Sequence, residues 1–342
     1  MSTIVHTALA SLLEGTDLRA QQAHELLVAL TDEALPPVLV SALLVALRAK
    51  GVRAPELRGF ASGMRALARR PRIPAGLPLV DVVGTGGDGA HSYNLSTGSA
   101  LLAAACGLPV AKHGNRSVSS RSGSADVLEA IGLALPLDED AAGRCLEATG
   151  FTFLFAPHYH PAMKSVAPVR AALGVRTVFN LLGPITNPAQ PPFAVVGAWS
   201  VDTARLLADA LAGMPIERAF VVHGATGWDE PTPAAAFLLL DVRQGEVIEQ
   251  RRDAGDYGLP SCSEEDLRGA DAAHNATQLM AVMRGESMGA HRDALVMGAA
   301  LALEVTGRVS DPQQAAMAAA AAIDDGRAAH LLERLAAFEG GR

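Results

Sequence analysis

The chain has few cysteines and few charged residues. Three cysteines occur among 342 residues and none lies in a Cys-X-X-Cys pair, which argues against a disulfide framework or a structural zinc site. Charged residues make up 19% and hydrophobic residues 49%, so the composition is that of a folded core and excludes disorder as the main state. The net charge of −8 provides no general basic surface for nucleic acid, although a small anion can still bind at a local site.

Long apolar runs are also absent. The most apolar stretch, 35–47, holds 13 residues and contains two prolines, whereas a membrane-spanning helix needs about 20 residues. Residues 1–14 lack a basic start followed by an apolar run, so we expect no signal peptide. With cysteines that suit free thiols in a reducing compartment, these features predict a cytoplasmic protein.

The pattern changes near residue 70, which predicts two domains. Residues 1–72 show only helical spacing, with Thr16-Asp17 and Thr31-Asp32 as predicted caps and Pro55 in the first turn of a further helix. Residues 73–342 alternate short β-branched runs with helical segments, which is typical of an α/β domain with helices flanking a central sheet. A late hairpin around Gln244-Gly245 makes that sheet mixed.

The elements predicted after the linker follow from the spacing of apolar residues. The strands are 79–83, 109–112, 151–155, 193–198, 220–223, 237–242 and 246–250. The helices are 98–106, 124–131, 139–149, 162–173, 203–211, 270–284, 290–306 and 312–338.

A glycine loop, 84–89, follows the first predicted strand and suits backbone N–H contacts with an anion. It matches a dinucleotide-binding pattern only formally, because no acidic residue occurs between Asp88 and Asp126 for a ribose hydroxyl. No Gly-Lys-Ser/Thr closes it as a P-loop. Asn94-Leu95-Ser96-Thr97 then begins a helix, so the two segments together predict a phosphate cradle, in which Ser96 offers an oxygen to Mg²⁺.

Two further polar segments follow predicted strands. The run 112–124 brings a lysine, arginines and small hydroxyls together, which suits a phosphate-rich ligand, although a solvated loop is the alternative. The adjacent carboxylates Asp229 and Glu230 suit Mg²⁺, with an exposed acidic turn as the alternative.

Taken in order, these segments resemble the anthranilate phosphoribosyltransferase family. The resemblance covers most of the chain and is carried jointly by 84–88, 94–97, 112–120, 123–126, 160–163, 167–170, 176–184, Asn187-Pro188 and Asp229-Glu230. It implies a fold akin to class II nucleoside phosphorylases, also termed a class III phosphoribosyltransferase fold. It further implies that residues 165–185 join the N-terminal helices in space.

The resemblance also implies the reaction and the partners of the protein. The phosphoribosyl group of phosphoribosyl pyrophosphate (PRPP) would pass to the amine of anthranilate, in tryptophan biosynthesis, with two Mg²⁺ ions per monomer. A homodimer through the helical domains is implied, and association with the glutamine amidotransferase subunit of anthranilate synthase is an open possibility.

Site residues are carried over by position. The residues implied to meet PRPP are Gly84, Gly87, Asp88, Ser92, Asn94, Leu95, Ser96, Thr97, Lys112, His113, Gly114, Asn115, Arg116, Ser117, Val118, Ser119, Ser120 and Ser124. The residues implied to meet anthranilate are Gly84, His113, Asn115 and Arg170. Ser96, Asp229 and Glu230 are implied as metal ligands, and Lys112, Asp88 and Arg170 as the catalytic residues.

Three departures from the family pattern and two rival functions accompany this interpretation. Trp228 and Pro231 flank the carboxylate pair where the family usually has other residues, and Ser92 replaces a common threonine. The rival functions are a pyrimidine nucleoside phosphorylase of the same architecture and a non-catalytic relative that binds nucleic acid. His158, His160 and His223 are expected to pack or support the site rather than carry protons.

Overall fold

The computed structural model describes residues 2–86, 93–116, 122–225 and 227–339. Its N-terminal part is helical, as predicted, with α1 (Ser2–Leu13), α2 (Ala20–Leu30), α3 (Pro37–Lys50) and α4 (Ala54–Leu67). Pro55 lies in the first turn of α4, and α3 ends at Gly51.

The predicted caps at Thr16-Asp17 and Thr31-Asp32 are wrong. Helix α2 begins only at Ala20, because Asp17 pairs instead with Lys50, whose Nζ lies 2.6 Å from Asp17 Oδ1. Asp32 accepts from Ala34 N in a short turn, and α3 begins at Pro37, a residue whose missing N–H costs nothing in a first turn.

The remaining chain forms a seven-stranded sheet covered by helices. The strands are β1 (Val80–Gly84), β2 (Val110–Gly114), β3 (Phe151–Phe155), β4 (Phe193–Gly197), β5 (Arg218–Gly224), β6 (Phe237–Arg243) and β7 (Glu246–Arg252). Their order is β3-β2-β1-β4-β5-β6-β7. The first five are parallel, and β6 and β7 add as the predicted antiparallel hairpin, so the sheet is mixed.

The helices between and after the strands are α5 (Leu95–Ala105), α6 (Ser124–Ile131), α7 (Glu139–Thr149), α8 (Ala156–Tyr159), α9 (Ala167–Leu173), α10 (Phe179–Leu182), α11 (Val201–Ala212), α12 (Ala272–Met283), α13 (Ala290–Val305), α14 (Pro312–Asp324) and α15 (Arg327–Ala336). Short 3₁₀ helices at Pro161–Lys164 and Gly183–Ile185 interrupt this series near α9 and α10.

Two helices predicted as continuous are broken. The segment 162–173 is a 3₁₀ turn followed by α9, because Pro168 is tolerated only in the first turn of a helix. The segment 312–338 is divided into α14 and α15 at Gly326, whose φ of +83° a helix interior does not allow.

Strand residues alternate between two hydrophobic cores, one on each face of the sheet. In β5, Phe220 and Val222 face the core that contains α5 and α13, whereas Ala219 and Val221 face the core that contains α11. The second core also includes the buried side chains of α2, α3 and α4 and those of Val166, Val169 and Phe179. One apolar core therefore joins the helical module, the segment around α9 and one face of the sheet.

No helix in the described ranges is both long and apolar enough to span a membrane.

Candidate active site at the ends of the parallel strands

The candidate site lies where β1 and β4 end side by side. From β1 the chain crosses to β2 on one side of the sheet, while β4 leads to β5 on the other side. The carboxyl ends of β1 and β4 therefore form a topological switch point, where open α/β sheets bind ligands. Gly84 and Gly197 pair in register at the two strand ends. A Cβ on Gly197 would lie 1.5 Å from the Asp229 carbonyl oxygen, and one on Gly84 would lie 2.5 Å from Asp229 Oδ2. Both glycines thus make room for Asp229.

The carboxylates of Asp229 and Glu230 face backbone amides inside this edge. Asp229 Oδ2 accepts from Gly86 N at 2.5 Å and from Thr85 Oγ1 at 3.3 Å, and Glu230 Oε1 accepts from Ser96 N at 2.8 Å. Asp229 is 6% exposed and Glu230 is 7% exposed, so the alternative of an exposed acidic turn is wrong. The first turn of α5 therefore meets negative charge, which its dipole favours.

Asn94 begins α5 with a left-handed backbone, φ +55°. Asparagine tolerates this conformation better than most residues, and the side chain is fixed by its neighbours. Its Oδ1 accepts from Ser122 Oγ and from Asn275 Nδ2, and its Nδ2 donates to the Ser122 carbonyl oxygen. Thr97 Oγ1 donates to Ser124 Oγ at 3.0 Å, so the starts of α5 and α6 are connected.

Lys112 lies beneath the carboxylates and not in solvent. Its side chain is fully buried, and Nζ donates to the Val82 carbonyl oxygen at 2.5 Å and to Ser96 Oγ at 3.5 Å. Burial lowers the pKa of the ammonium, while the charges of Asp81, Glu230 and Asp229 oppose that shift. The lysine thus brings positive charge under the first turn of α5.

His113, the next residue, connects β2 to the chain that follows α10. Its Nδ1 lies 3.0 Å from the Gly183 carbonyl oxygen, and its ring contacts that of His160 edge to face at 5.1 Å between centroids. Burial lowers the pKa of His113 to about 3 and that of His160 to about 4. Both rings are therefore neutral near pH 7, which for His160 fits the predicted supporting role rather than proton transfer.

The two other histidines singled out in the sequence make ordinary contacts. His223 Nδ1 lies 2.7 Å from the Ala198 carbonyl oxygen, between β5 and the end of β4. His158 Nε2 lies 3.7 Å from a Glu139 carboxylate oxygen.

Arg170 lies on α9, in the segment between β3 and β4. Its guanidinium carbon lies 5.3 Å from the centre of the Phe179 ring. No carboxylate of the described residues lies within 4 Å of it, and burial lowers its pKa. A half-buried guanidinium without a resident acid suits a carboxylate ligand.

Arg116, a predicted PRPP ligand, pairs with two acidic side chains of α6. The exposed guanidinium pairs with Glu129, through Nη2 and Oε1 at 2.6 Å, and with Asp126 Oδ1 at 3.1 Å, so its pKa is raised. Asn115 is also exposed, and its Oδ1 accepts from Arg116 N. Leu95 is buried as a core residue of α5, so only its backbone can meet a ligand.

Several predicted site residues lie outside the described residues. They are Gly87, Asp88, Ser92, Ser117, Val118, Ser119 and Ser120.

The structure adds residues that the sequence analysis did not single out as functional. Asp81 and Asn187 are buried and joined beneath the site, and Gly197 and Asn275 shape it. The sequence does indicate that Asp81 is unusual, because it is the one carboxylate inside the apolar run 79–83 and such residues are rarely buried without a partner. Gly197 and Asn275 act only through distant partners, which local sequence does not reveal.

Two family models match the chain. Residues 6–68 match the helical bundle domain of a glycosyl transferase family, and residues 76–329 match its a/b domain.

Curated relatives extend over nearly the whole chain. The anthranilate phosphoribosyltransferase of Desulforudis audaxviator is 44% identical over 98% of this chain and 96% of its own length. That of Synechococcus elongatus is 44% identical, over 96% of this chain and 95% of its own. The crystal structure of the Thermus thermophilus enzyme superposes with a TM-score of 0.90 at 41% identity, covering 97% of this chain and 98% of that one. The Saccharomyces cerevisiae enzyme in complex with PRPP and Mg has the same fold, at 24% identity and a TM-score of 0.89, over 98% of this chain and 97% of that one.

Proposed function

This chain belongs to the anthranilate phosphoribosyltransferase family, and from that premise we propose how its own residues act. The enzyme transfers the phosphoribosyl group of PRPP to the amine of anthranilate, a reaction of tryptophan biosynthesis. One observation supports the assignment of the site most strongly. Two buried carboxylates, a buried lysine and the first turn of a helix meet at the strand ends of the sheet. The rival functions, a nucleoside phosphorylase and a nucleic-acid-binding relative, lack comparable support.

On the donor side, the first turn of α5 and Lys112 bind the phosphates of PRPP. Backbone N–H groups at a helix start, together with a nearby ammonium, are suited to oxyanions. The donor set comprises Gly84, Gly87, Asp88, Ser92, the residues 94–97, the residues 112–120 and Ser124. For Arg116 this role requires the guanidinium to leave Glu129 and Asp126 when PRPP binds.

Asp229, Glu230 and Ser96 hold magnesium on this side, as two ions per monomer. The residues fit the metal, because two buried carboxylates and a hydroxyl supply the oxygen ligands that Mg²⁺ takes while it keeps waters and phosphate oxygens. No group of three or more His, Cys, Asp or Glu side chains forms a complete metal cage in the described ranges, which is compatible with a metal that shares the substrate's oxygens. Bound there, Mg²⁺ neutralises charge on the diphosphate.

On the acceptor side, Arg170 binds the carboxylate of anthranilate, with Gly84, His113 and Asn115 around the ring. A planar guanidinium can donate two parallel hydrogen bonds to a carboxylate. The support is the position of Arg170 over Phe179 without a resident acid nearby among the described residues.

The transfer is a loose displacement with inversion at the anomeric carbon of the ribose. The amine attacks as the C–O bond to the diphosphate breaks, and Lys112 with the loop amides stabilises the departing charge. His113 and His160 are neutral near pH 7 and only weakly basic, because their pKa values are about 3 and about 4, so the amine's proton leaves without a strong histidine base. No covalent enzyme intermediate is needed.

The protein forms a homodimer through the helical module. Large apolar side chains that remain exposed there support this, namely Ile4, Leu13, Val28, Val38, Val45 and, on the adjoining segment, Val175. Association with an amidotransferase subunit stays a prediction.

A fluorescence assay tests the function directly. Anthranilate fluorescence should fall when PRPP and Mg²⁺ are added to the purified protein, and should stay constant when either is omitted. Phosphorolysis of a pyrimidine nucleoside, with no loss of anthranilate, would contradict the assignment.

A further inference from the structure

A buried carboxylate lies below the site, one layer beneath the residues already described. Asp81 is 1% exposed in the middle of β1. Its Oδ1 accepts from His113 N at 3.2 Å, and its Oδ2 accepts from Asn187 Nδ2 at 2.8 Å. The side chain therefore joins three separate parts of the chain: β1, the end of β2 and the segment that follows α10.

The orientation of the Asn187 amide is fixed on both sides. Its Nδ2 also donates to the Ala111 carbonyl oxygen at 2.7 Å, and its Oδ1 accepts from Ala189 N at 2.9 Å. Because the amide oxygen is already used, the side chain cannot turn over to meet a changed partner at position 81. The pair of Asp81 and Asn187 has one arrangement that satisfies its groups.

The hydrogen-bonded pair of Asp81 and Asn187, called the joint below, connects the acceptor side of the site to the donor side. Asn187 follows the segment 166–185, which carries Arg170 and whose apolar side chains share a core with the helical module. The same segment is held a second time four residues earlier, where the Gly183 carbonyl oxygen meets His113 Nδ1. Without the joint, the segment would keep its apolar packing and the hydrogen bonds to the Gly183 and Ile185 carbonyl oxygens, but it would be less tightly fixed relative to the strand ends.

Burying an ionised carboxylate at this position is energetically unfavourable, which argues that Asp81 does more than fill space. Burial raises the pKa of Asp81 to about 6, although the charge of Lys112 and hydrogen bonds from Asn187 and His113 pull the other way. Apolar residues of similar volume often stabilise a core as well as or better than a buried charged group. What an apolar pair would lack is the directional bond between strand and segment.

We propose that Asp81, acting through Asn187, is a positioning residue for the transfer reaction: it fixes the segment that carries Arg170 relative to the strand ends that carry Lys112 and His113. The proposal rests on the proposed function, since it assigns Arg170 to the acceptor and Lys112 to the donor.

An exchange of the two side chains tests the bond itself. In D81N the single amide oxygen can accept from only one of the two donors, His113 N and Asn187 Nδ2, and in N187D two carboxylates face each other, so each single variant loses part of the joint. The double variant D81N/N187D restores one donor and one acceptor, and loses only the donor to Ala111. We expect each single variant to raise the KM for anthranilate about tenfold or more with the KM for PRPP changed less than about threefold, and the double variant to recover most of the loss.

Asp241 provides the matched control. Asp241 lies on β6, on the antiparallel side of the sheet, and is also buried, at 5% exposure. Its Oδ2 accepts from Arg218 Nη2 of β5 at 2.6 Å. D241N should lower the thermal midpoint without changing the ratio of the two KM values. If D81N does not fold, N187S replaces it, because a serine hydroxyl can still accept from Ala189 N but is too short to reach Asp81.

Hydrogen exchange of the ligand-free protein separates this proposal from the proposed function. Amides of 176–189 should exchange faster in D81N and N187S and not in D241N, whether or not the protein turns over anthranilate. A folded D81N with unchanged anthranilate KM and unchanged exchange, or a double variant no better than the worse single one, would overturn the proposal. A wild-type protein without transferase activity would contradict the proposed function alone.

Discussion

On the donor side of the pocket, the carboxylates of Asp229 and Glu230 accept hydrogen bonds from Gly86 N and Ser96 N, whereas on the acceptor side Arg170 stacks on Phe179 with no carboxylate of the described residues within 4 Å. The proposed donor side thus already satisfies its carboxylates with hydrogen bonds, which PRPP and metal would have to replace. In the proposed role of Arg170, the acceptor side needs no such exchange, because no acidic side chain of the described residues lies within 4 Å of the guanidinium. Substitutions on the donor side should therefore affect metal response and turnover, and those on the acceptor side should affect the KM for anthranilate.

The largest effect should come from removing the donor-side charges. In the variant D229N/E230Q we expect kcat/KM for PRPP to fall by about 10³-fold, a size typical of lost electrostatic stabilisation, and the Mg²⁺ requirement to weaken. Amide oxygens can still accept from Gly86 N and Ser96 N, so the thermal midpoint should change little. E249Q, which alters an exposed carboxylate paired with Arg205, is the control. An unchanged magnesium titration would remove both residues from the metal site.

The acceptor side is tested by R170A. We expect the KM for anthranilate to rise about 30- to 100-fold with the KM for PRPP nearly constant, because an arginine–carboxylate pair is lost. R176A is the matched control, since Arg176 also stacks on an aromatic ring, 4.3 Å from the centre of Trp199. Steady-state kinetics with each substrate varied in turn would measure both. A rise in the KM for PRPP alone would reverse the assignment of the two sides.

A smaller effect should follow from Asn94, where the donor side depends on an unusual backbone. N94A loses three hydrogen bonds and meets the left-handed strain, whereas N94G loses the bonds alone. We expect both to raise the KM for PRPP, about tenfold in N94A, and the glycine variant to be the more stable by roughly 1 kcal/mol. Chemical denaturation of the two variants gives this difference. Equal stability would mean that the backbone conformation relaxes freely.

The smallest effect concerns pH. Because the pKa values of His113 and His160 are about 3 and about 4, neither ring gains a proton between pH 5.5 and 8. Any rise in the KM for anthranilate as the pH falls toward 6 should come from protonation of Asp81, whose pKa is about 6, and should be absent in D81N. Stability should behave differently. An unfolded histidine protonates below about pH 6.5, so the folded state loses stability as the pH falls below that value. Thermal midpoints between pH 8 and 5 would measure this loss, which should be smaller in H160Q. A pH dependence of the KM between 6 and 7 that persists in D81N would contradict the buried, neutral rings.

Local signals in the sequence were sufficient where an element's ends depend on its own residues. Helices 124–131 and 139–149 and strand 151–155 were predicted with the bounds observed, since Asp138, Gly132 and Gly150 mark their limits. Prediction failed where a distant partner decides the outcome. Asp17 was expected to cap a helix and pairs with Lys50 instead, and the helix expected over 162–173 is broken near Pro168.

The residues of the candidate site likewise divide into those that local sequence predicts and those that depend on other parts of the chain. The glycine loop, Ser96, Lys112 and the carboxylate pair were predicted from residue type and order, and the structure brings Gly84, Ser96, Lys112, Asp229 and Glu230 to one edge of the sheet. The joint between Asp81 and Asn187 was not predicted, because 106 residues separate its two members and nothing in either local sequence indicates the other. The ion pairs of Arg116 with Glu129 and Asp126 span only 13 and 10 residues, but they depend on how the chain just after β2 lies against α6, which residue order does not reveal.

A crystal structure with PRPP, Mg²⁺ and an unreactive anthranilate analogue tests the two-sided pocket most directly. We predict that the diphosphate lies against the first turn of α5 with metal on Asp229 and Glu230, and that the carboxylate of the analogue lies within hydrogen-bond distance of Arg170. A complex in which the analogue's carboxylate is bound elsewhere, or in which the diphosphate lies away from α5, would contradict the account.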